Sequence, residues 1–320
     1  MPVVLGLSLF TKSYSKEEDA TKNFIILKSG SSEDVNDDSD VIFTLKRAKL
    51  AEIKEKLDEA DELYHKALEL VYIHQQETSW SQEKILEAQV YIYDCMANLA
   101  LVRGQLSNAE KLFKVTIQGL LQQGKRQDDN AIVELSLKLA MIYAAENRSS
   151  EAELGYQFCI HSLQKKMDSA MESHIDIDTD TVALLGMSVD AYSRYLVTQK
   201  DYVAAMHNLN RALEIAMNVL GETHQQVAVV LSDIATVASL TNDFDTAQDK
   251  LFHAIRIAEK IDSSHLPTMY YNLATVHSHQ HNLAEARAWY RKAIKSAKQL
   301  DDKEALQKAE EALSKLKSRN

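Results

Sequence analysis

The stretch ANLALVRGQLSNAEKLFKVT, residues 97–116, decides the fold. It opens with an alanine inside an apolar run and passes through the polar segment RGQLSN (103–108). It then continues with the triplet Ala109, Phe113 and Thr116, spaced four and three residues apart. Positions at these spacings lie on one face of an α-helix, and Gly and Asn in the polar segment favour a helix end. The stretch therefore predicts two helices joined by a short turn.

The same pattern occurs six times along the chain, each time as a small–large–small triplet preceded by another small residue twelve positions earlier. The triplets are Ala60-Tyr64-Ala67, Ala109-Phe113-Thr116, Ala152-Tyr156-Cys159, Ala205-Leu209-Ala212, Ala247-Leu251-Ala254 and Ala286-Tyr290-Ala293. The earlier small residues are Ala48, Ala97, Ala140, Ser193, Ala235 and Ala274. Small residues let two helices approach closely where they cross, so each copy indicates a helix hairpin. No hairpin can bury its apolar face alone, so the hairpins must stack.

Stacked hairpins of this pattern resemble tetratricopeptide repeats. The first alanines of successive triplets are 49, 43, 53, 42 and 39 residues apart, so helices or loops between hairpins must be longer than in the usual repeat of about 34 residues. GETHQQVAVVLSDIATVASL (221–240) resembles the long repeats of kinesin light chains. The pattern predicts an all-α, right-handed superhelical solenoid of about six tetratricopeptide-type helix hairpins with a C-terminal capping helix.

Composition supports an all-helical chain and limits the classes of partner that it could bind. With 8 Gly and 2 Pro in 320 residues, a turn-rich β sandwich or barrel is excluded. The net charge of −11 argues against nucleic acid as a partner and against non-specific binding to anionic lipid, because both require a basic surface. Cys95 and Cys159 lie in apolar helical segments without metal-ligand or disulfide spacing, which predicts buried free thiols.

The flanks of the array differ from it in composition. Residues 1–42 are acidic and polar, which predicts a mostly disordered leader. Within it, VVLGLSLF (3–10) is too short to span a membrane and is interpreted as a remnant of a longer membrane segment. The repeat array is assigned to residues 43–300. Residues 301–320 carry leucines and an alanine on one face and charges elsewhere, which predicts a helix that caps the array.

Motifs for catalysis or cofactor binding are incomplete. GLLQQGKR (119–126) has Arg126 where a phosphate-binding loop needs Ser or Thr, and DIDTDT (176–181) lacks the glycine and glutamate of a calcium loop. His277 and His281 would share a helix face, but no carboxylate or cysteine nearby completes a metal site. No nucleophile has an activating neighbour. We therefore expect no enzyme activity, no cofactor and no metal.

The first helix of each hairpin lines the concave side of such an array, which predicts a partner-binding groove. The candidate groove residues are Tyr91, Asp94, Asn98, Lys138, Asp190, Arg194, Asp233, Tyr271 and Asn272. This mixture suits an extended peptide, but it lacks the clustered Lys and Asn of a chaperone carboxylate clamp. Arg194, as a cation with several donors on an acidic protein, is the candidate anchor.

Four segments carry a more specific resemblance. They are FTLKRAKLAEIKEKLDEADELYHKALEL (43–70), YDCMANLALVRGQLSNAEKLFK (93–114), DNAIVELSLKLAMIYAAENRSSEAELGYQFCI (129–160) and GETHQQVAVVLSDIAT (221–236). Together they resemble the mitochondrial tetratricopeptide repeat protein nineteen family over about residues 43–316. The resemblance implies a non-catalytic factor of the mitochondrial inner membrane that binds respiratory complex III and its Rieske iron–sulfur subunit. It also implies a role in clearing N-terminal fragments of that subunit.

The N-terminus departs from that family, because it lacks the arginines of a transit peptide. Two other functions stay open at this point. One is a generic peptide-binding scaffold or cargo adaptor of the kinesin-light-chain type. The other is an enzyme whose active site lies in the loops.

Overall fold

The computed structural model describes residues 39–176 and 178–317, so the predicted leader and the apolar segment 3–10 lie outside the described residues. In the described part the chain forms thirteen α-helices and no strand. It therefore has the predicted all-α repeat fold. The helices belong to two compact units, with the boundary after Ser162.

The helices follow one another as hairpins. The first unit contains α1 (Ser39–Ile53), α2 (Leu57–Gln76), α3 (Gln82–Val102), α4 (Leu106–Gln122), α5 (Asn130–Ala145) and the first part of α6 (Ser149–Glu172). The second unit contains the rest of α6, α7 (Thr179–Thr198), α8 (Tyr202–Leu220), α9 (Gln225–Leu240), α10 (Phe244–Lys260), α11 (Leu266–His279), α12 (Leu283–Gln299) and α13 (Lys303–Lys317).

The small and large positions of the repeat form the core. All six triplets and all six earlier small residues are at most 4% exposed. The large member of each triplet fills the space that the small residues leave between crossing helices, where close packing requires this alternation. The predicted register of the repeat is therefore confirmed in every copy.

The turns inside the six hairpins share one backbone conformation. Each contains one residue with φ between 59° and 71°, five positions before the first alanine of the triplet: Glu55, Gly104, Asn147, Lys200, Asn242 and His281. The N–H of the next residue donates to the carbonyl oxygen five residues earlier, at 2.8–3.0 Å. This left-handed turn satisfies the last carbonyls of the first helix and directs the chain into the second.

The first and last described helices, α1 and α13, form the two ends of the array. α1 begins at Ser39, four residues before the predicted start of the array, and Asp40 in its first turn complements the helix dipole. At the other end α13 packs on α11 and α12, with Ala309 and Leu316 buried. Arg287 Nη2 donates to the carbonyl oxygen of Leu316 at 3.3 Å.

The high hydropathy of α3 goes together with its position in the protein core. In the part of the chain that the structure describes, α3 is the helix with the length and hydropathy of a membrane span. Of its apolar window, 56% is buried inside the protein.

Both cysteines, Cys95 and Cys159, are buried free thiols, as predicted.

Enlarging a triplet alanine should overpack a helix crossing. Ala247 on α10 is fully buried, so Ala247→Leu is expected to lower the free energy of unfolding by about 1–3 kcal/mol. The same substitution at the exposed Ala284 of α12 is the matched control and should have little effect. Urea unfolding of both variants checks this. Equal stability of the two variants would mean that the repeat register is wrong.

Candidate functional site

In the first unit, candidate groove residues lie on α3 and α5, and we call this the α3–α5 face: Tyr91, Asp94, Asn98 and Lys138. The three α3 residues share a helix face through their spacing of three and four. Asn98 Nδ2 donates to the carbonyl oxygen of Asp94 at 2.8 Å and to its Oδ1 at 3.0 Å. This pair of hydrogen bonds fixes the orientation of both side chains.

Lys138 is a buried cation on this face, only 7% exposed. Its Nζ lies 2.8 Å from Oε1 of Glu134 and 5.6 Å from the ring centroid of Phe113. Burial opposes its charge, but Glu134 and Asp94 outweigh burial and raise the pKa of Lys138. For Asp94 burial is the largest effect and raises its pKa, although Lys138 acts in the opposite direction. The face therefore holds a fixed set of opposite charges.

A polar cluster beside this face was missed by the sequence analysis. Lys49 Nζ lies 2.9 Å from Oε2 of Glu52, and the hydroxyl of Tyr64 donates to the same oxygen at 2.6 Å. Tyr91 and Cys95 interact with this cluster. Burial raises the pKa of the Cys95 thiol to about 11, so this thiol is protonated at neutral pH. The spacing of three between Lys49 and Glu52 was the available signal.

In the second unit, candidate residues come together on the first helices of three hairpins. We call this the α7–α9–α11 face: Asp190, Arg194, Asp233, Tyr271 and Asn272. Arg194 Nε lies 3.3 Å from Asp190 Oδ2, one turn away on α7, and its Nη2 lies 2.7 Å from Asp233 Oδ2 on α9. One guanidinium thus bridges two carboxylates and ties two hairpins together.

Further polar contacts extend this face. Gln226 Nε2 donates to Asp190 Oδ2 at 3.5 Å, while Asp190 Oδ1 is buried without a hydrogen-bond partner among the described residues. Asn272 Nδ2 on α11 donates to Ser232 Oγ on α9 at 3.2 Å. The ring of Tyr271 lies 5.5 Å from that of Tyr290. Each candidate residue of this face therefore has a defined position.

The structure adds a feature of Arg194 that the sequence does not reveal. Arg194, the candidate anchor, is already paired with Asp190 and Asp233 inside the chain. Burial opposes its charge, and the two carboxylates outweigh burial, so the pKa of Arg194 is raised. With both aspartates ionised, the three residues carry a net charge of −1, because two carboxylates share one guanidinium. This part of the face is therefore acidic.

The same arrangement makes Asp233 sensitive to pH. Burial raises the pKa of Asp233 to about 6, although Arg194 acts to lower it, and Asp190 adds repulsion. Burial also lowers the pKa of His265, with a further contribution from Arg194. His265 is therefore expected to be neutral at pH 7, and most of the Asp233 population ionised.

The free energy of unfolding should change with pH as Asp233 titrates. Because its pKa is higher in the folded chain, Asp233 contributes stability that is fully present below about pH 4 and lost as pH rises through about 6. Asn does not titrate, so the Asp233→Asn variant serves as the reference at each pH. The free energy of unfolding of the parent minus that of the variant should fall by on the order of 1–3 kcal/mol between about pH 4 and pH 7. Urea unfolding at both pH values measures it. A difference independent of pH would contradict this assignment.

The phosphate and calcium motifs have structural roles. α4 ends at Gln122, so the sequence GLLQQGKR belongs to a helix end, and Lys125 pairs with Asp129 at 3.3 Å. Asp178 caps α7 by accepting a hydrogen bond from the N–H of Asp180 at 3.2 Å. These residues therefore stabilise helix termini.

The histidine pair does not share a helix, because α11 ends at His279 and His281 is the left-handed turn residue. His277 is buried, and neither of its ring nitrogens has a hydrogen-bond partner among the described residues. Burial lowers its pKa. Residues 39–176 and 178–317 contain no group of three or more side chains placed to hold a metal ion.

Comparison with known proteins agrees with this architecture. Tetratricopeptide repeat family models match residues 190–260 and 268–300. The fold is similar to aspartyl phosphate phosphatase F from Bacillus subtilis, with a TM-score of 0.61 and 14% identity over 96% of this chain and 76% of that one. It is also similar to a Rap protein complexed with competence and sporulation factor, with a TM-score of 0.55 and 10% identity over 92% of this chain and 79% of that one.

A relative by sequence is more informative. The human mitochondrial tetratricopeptide repeat protein 19 is 37% identical over 327 aligned residues, which cover 100% of this chain and 83% of the human protein. Identity at this level over the whole chain shows common ancestry and not only a shared repeat pattern. The chain therefore belongs to the mitochondrial tetratricopeptide repeat protein 19 family.

Proposed function

We propose that the chain is a non-catalytic mitochondrial factor that holds a partner protein on its α3–α5 face and on its α7–α9–α11 face. The partner we propose is respiratory complex III, including its Rieske iron–sulfur subunit and N-terminal fragments of that subunit. The place of action that follows from this partner is the inner membrane. By holding the fragments, the chain would support their clearance and preserve complex III.

One observation carries the proposal: the polar side chains of both faces are already fixed by contacts with one another. Asn98 holds Asp94 in the first unit, and Arg194 bridges Asp190 and Asp233 in the second. Side chains that are ordered before binding lose less entropy when a partner arrives, which favours recognition. The first helices of repeat hairpins are also the elements with which such proteins form binding surfaces.

The chemistry of the two faces favours a particular kind of segment. The carboxylates and amide oxygens of the two faces, most of them half-buried, can accept hydrogen bonds from N–H groups, and Tyr91 and Tyr271 provide partly exposed aromatic rings. An extended segment offers main-chain N–H groups at regular intervals and has apolar side chains that pack on aromatic rings. Family membership supports the choice of a mitochondrial partner. The Rap protein complexed with its factor is a precedent for binding by the same fold.

The experiment should block a face at an exposed position and leave the ion pairs of the face intact. Thr236 is exposed on α9, and its hydroxyl donates only a local hydrogen bond, to the carbonyl oxygen of Ser232 one turn earlier at 2.9 Å. Thr236→Trp would lose that local bond and place a bulky ring on the α7–α9–α11 face. Val203 on α8 is 85% exposed, and Val203→Trp is the matched control. Each variant is expressed in cells that lack their own family member, and its co-migration with complex III is followed on native gels.

We expect Thr236→Trp to reduce co-migration with complex III by about tenfold or more, because blocking the centre of a contact removes its main anchors. N-terminal Rieske fragments should then accumulate, whereas Val203→Trp should behave as the parent chain. Normal co-migration of Thr236→Trp would contradict the proposed face. Absence of the parent chain from complex III would contradict the proposed partner and favour a generic peptide-binding scaffold.

A further inference from the structure

Charge is distributed unevenly between the helices of the second unit. The first helices of its hairpins, α7, α9 and α11, and the segments that lead into them occupy residues 173–198, 221–240 and 261–279. These residues include seven carboxylates and a single Lys or Arg, which is Arg194. Two of the carboxylates are Asp190 and Asp233. The other five are exposed and lie shortly before a first helix or in its first turn, and we call them the rim carboxylates: Asp176, Asp178, Asp180, Glu222 and Asp262.

The second helices of the same hairpins show the opposite balance. α8, α10 and α12 together contain nine Lys and Arg residues and five carboxylates. The turns that follow the first helices do not reverse the pattern, because they add Lys200 together with Asp201 and Asp243. Along these three hairpins, acids therefore predominate on the helices that carry the candidate face, and cations predominate on their hairpin partners.

The arrangement of these carboxylates does not suit a single small cation. The rim carboxylates are spread over the starts of three helices, of which α7 contacts α9 and α9 contacts α11. Among the described residues, no group of three or more His, Cys, Asp or Glu side chains is placed to hold a metal ion. A ligand with several positive charges along its length would match carboxylates that are distributed over three neighbouring helices.

The carboxylate of Asp190 indicates where such a ligand would be anchored. Asp190 is 9% exposed, and its Oδ1 has no hydrogen-bond partner among the described residues, which is costly for a buried acceptor. The side chain points from α7 toward α9, because its Oδ2 lies 3.3 Å from Arg194 Nε and 3.5 Å from Gln226 Nε2. The contact with Gln226 is long, so a guanidinium or ammonium group could replace it and supply the missing donor. The neighbouring Asp233 side chain is 27% exposed, so solvent reaches this pair of carboxylates.

We infer that the α7–α9–α11 face binds a protein segment that is rich in Lys and Arg. This inference rests on the proposed function for the use of that face, and it adds the chemistry of the partner. One basic side chain would pair with Asp190 and Asp233, and further basic side chains would lie near the rim carboxylates. The same charges would draw a basic segment toward this face and would repel nucleic acid and anionic lipid, whose phosphates are negative.

Peptide binding to the full chain tests the inference without complex III. The probe is a fluorescent peptide of about twelve residues, because adjacent helices lie roughly 8–10 Å apart and an extended residue spans about 3.3 Å. It carries Arg at every second position, so that the charges share one side of the extended chain. Two counterparts carry Gln or Glu at those positions. Fluorescence anisotropy compares the affinities of the three peptides.

Two of the rim carboxylates provide a variant that spares the helix caps. Glu222 precedes α9 and Asp262 precedes α11, whereas Asp178 caps α7. Glu222→Gln with Asp262→Asn, the rim variant, removes two charges with little change in side-chain size. Its matched control, Glu214→Gln with Asp245→Asn, removes two charges at exposed positions of α8 and α10.

The parent and the control should bind the Arg peptide at least about tenfold more tightly than the Gln peptide, and salt should reduce this preference. The rim variant should bind the Arg peptide about threefold or more weakly than the parent, and Asp233→Asn about tenfold or more weakly. Circular dichroism should show the helical signal of the parent in each variant. Equal affinity of the parent for the three peptides, tighter binding of the Glu peptide, or equal effects in the rim variant and its control would overturn the inference.

Co-migration with complex III separates this inference from the proposed function. A parent chain that prefers the Arg peptide but does not co-migrate with complex III would support a basic partner and contradict complex III as that partner. A parent chain that co-migrates with complex III but binds the three peptides equally would overturn the basic-segment inference and leave the proposed function standing.

Discussion

Replacing Arg194 by alanine is expected to lower the free energy of unfolding by about 2–4 kcal/mol at neutral pH. The substitution leaves Asp190 and Asp233 close together without the guanidinium that bridges them. Removing one member of a buried ion pair costs about 3–5 kcal/mol, because the remaining charge is uncompensated. The Arg194 side chain is 31% exposed, so solvent screens part of this cost.

Two further measurements identify the cause of the Arg194→Ala effect. At about pH 4 the loss should be smaller, because the pKa of Asp233 is about 6 and its carboxyl is then protonated. Adding Asp190→Asn and Asp233→Asn to Arg194→Ala should recover part of the stability, because it removes the unpaired charges. An Arg194→Ala chain with the parent's urea midpoint at neutral pH would contradict the role of this bridge.

Gly155→Leu is expected to lower the free energy of unfolding by about 3 kcal/mol or more. A Cβ atom on Gly155 of α6 would lie 2.8 Å from Cβ and 3.3 Å from Cα of Ala140 on α5. Because one of these atoms belongs to the backbone, the two helices would have to separate. Even Gly155→Ala should destabilise the chain, although alanine gains up to about 1 kcal/mol over glycine from helix propensity.

Gly186 on α7 is the matched control for Gly155. Its Cβ would lie 3.0 Å from Cγ2 and 3.7 Å from Cβ of Ile215, and these atoms belong to a side chain that can shift. Gly186→Ala should therefore be neutral or slightly stabilising. Thermal unfolding of the two alanine variants separates these cases, and equal melting temperatures would show that the α5–α6 crossing is looser than described.

The hairpins could be predicted from the sequence because several positions in each repeat indicate the same structure. Each copy contains small residues in both helices and a large residue between them, so the register does not depend on any single position. The backbone conformation of the turns was harder to predict from the sequence. Gly104 and Asn147 are residues that favour a left-handed backbone, whereas Glu55 and Lys200 adopt the same conformation without that preference. Only their position in the repeat, five residues before the triplet, indicates it.

The charge pairs of the candidate faces show where sequence reasoning ends. Asp190 and Arg194 are four residues apart on one helix, so their ion pair follows from spacing alone. The contact of Arg194 with Asp233 depends on how α7 and α9 are rotated against each other, which no local pattern records.

Site-specific photo-crosslinking tests the central claim, binding of complex III through the first helices of the hairpins, most directly. A photoreactive phenylalanine derivative is placed at Thr236 on α9 or at Val203 on α8, and the chains are irradiated in mitochondria. The proposal predicts crosslinks from position 236 to complex III subunits, including the Rieske subunit or its N-terminal fragments, and none from position 203. Crosslinks to complex III from position 203 alone, or from neither position, would contradict it.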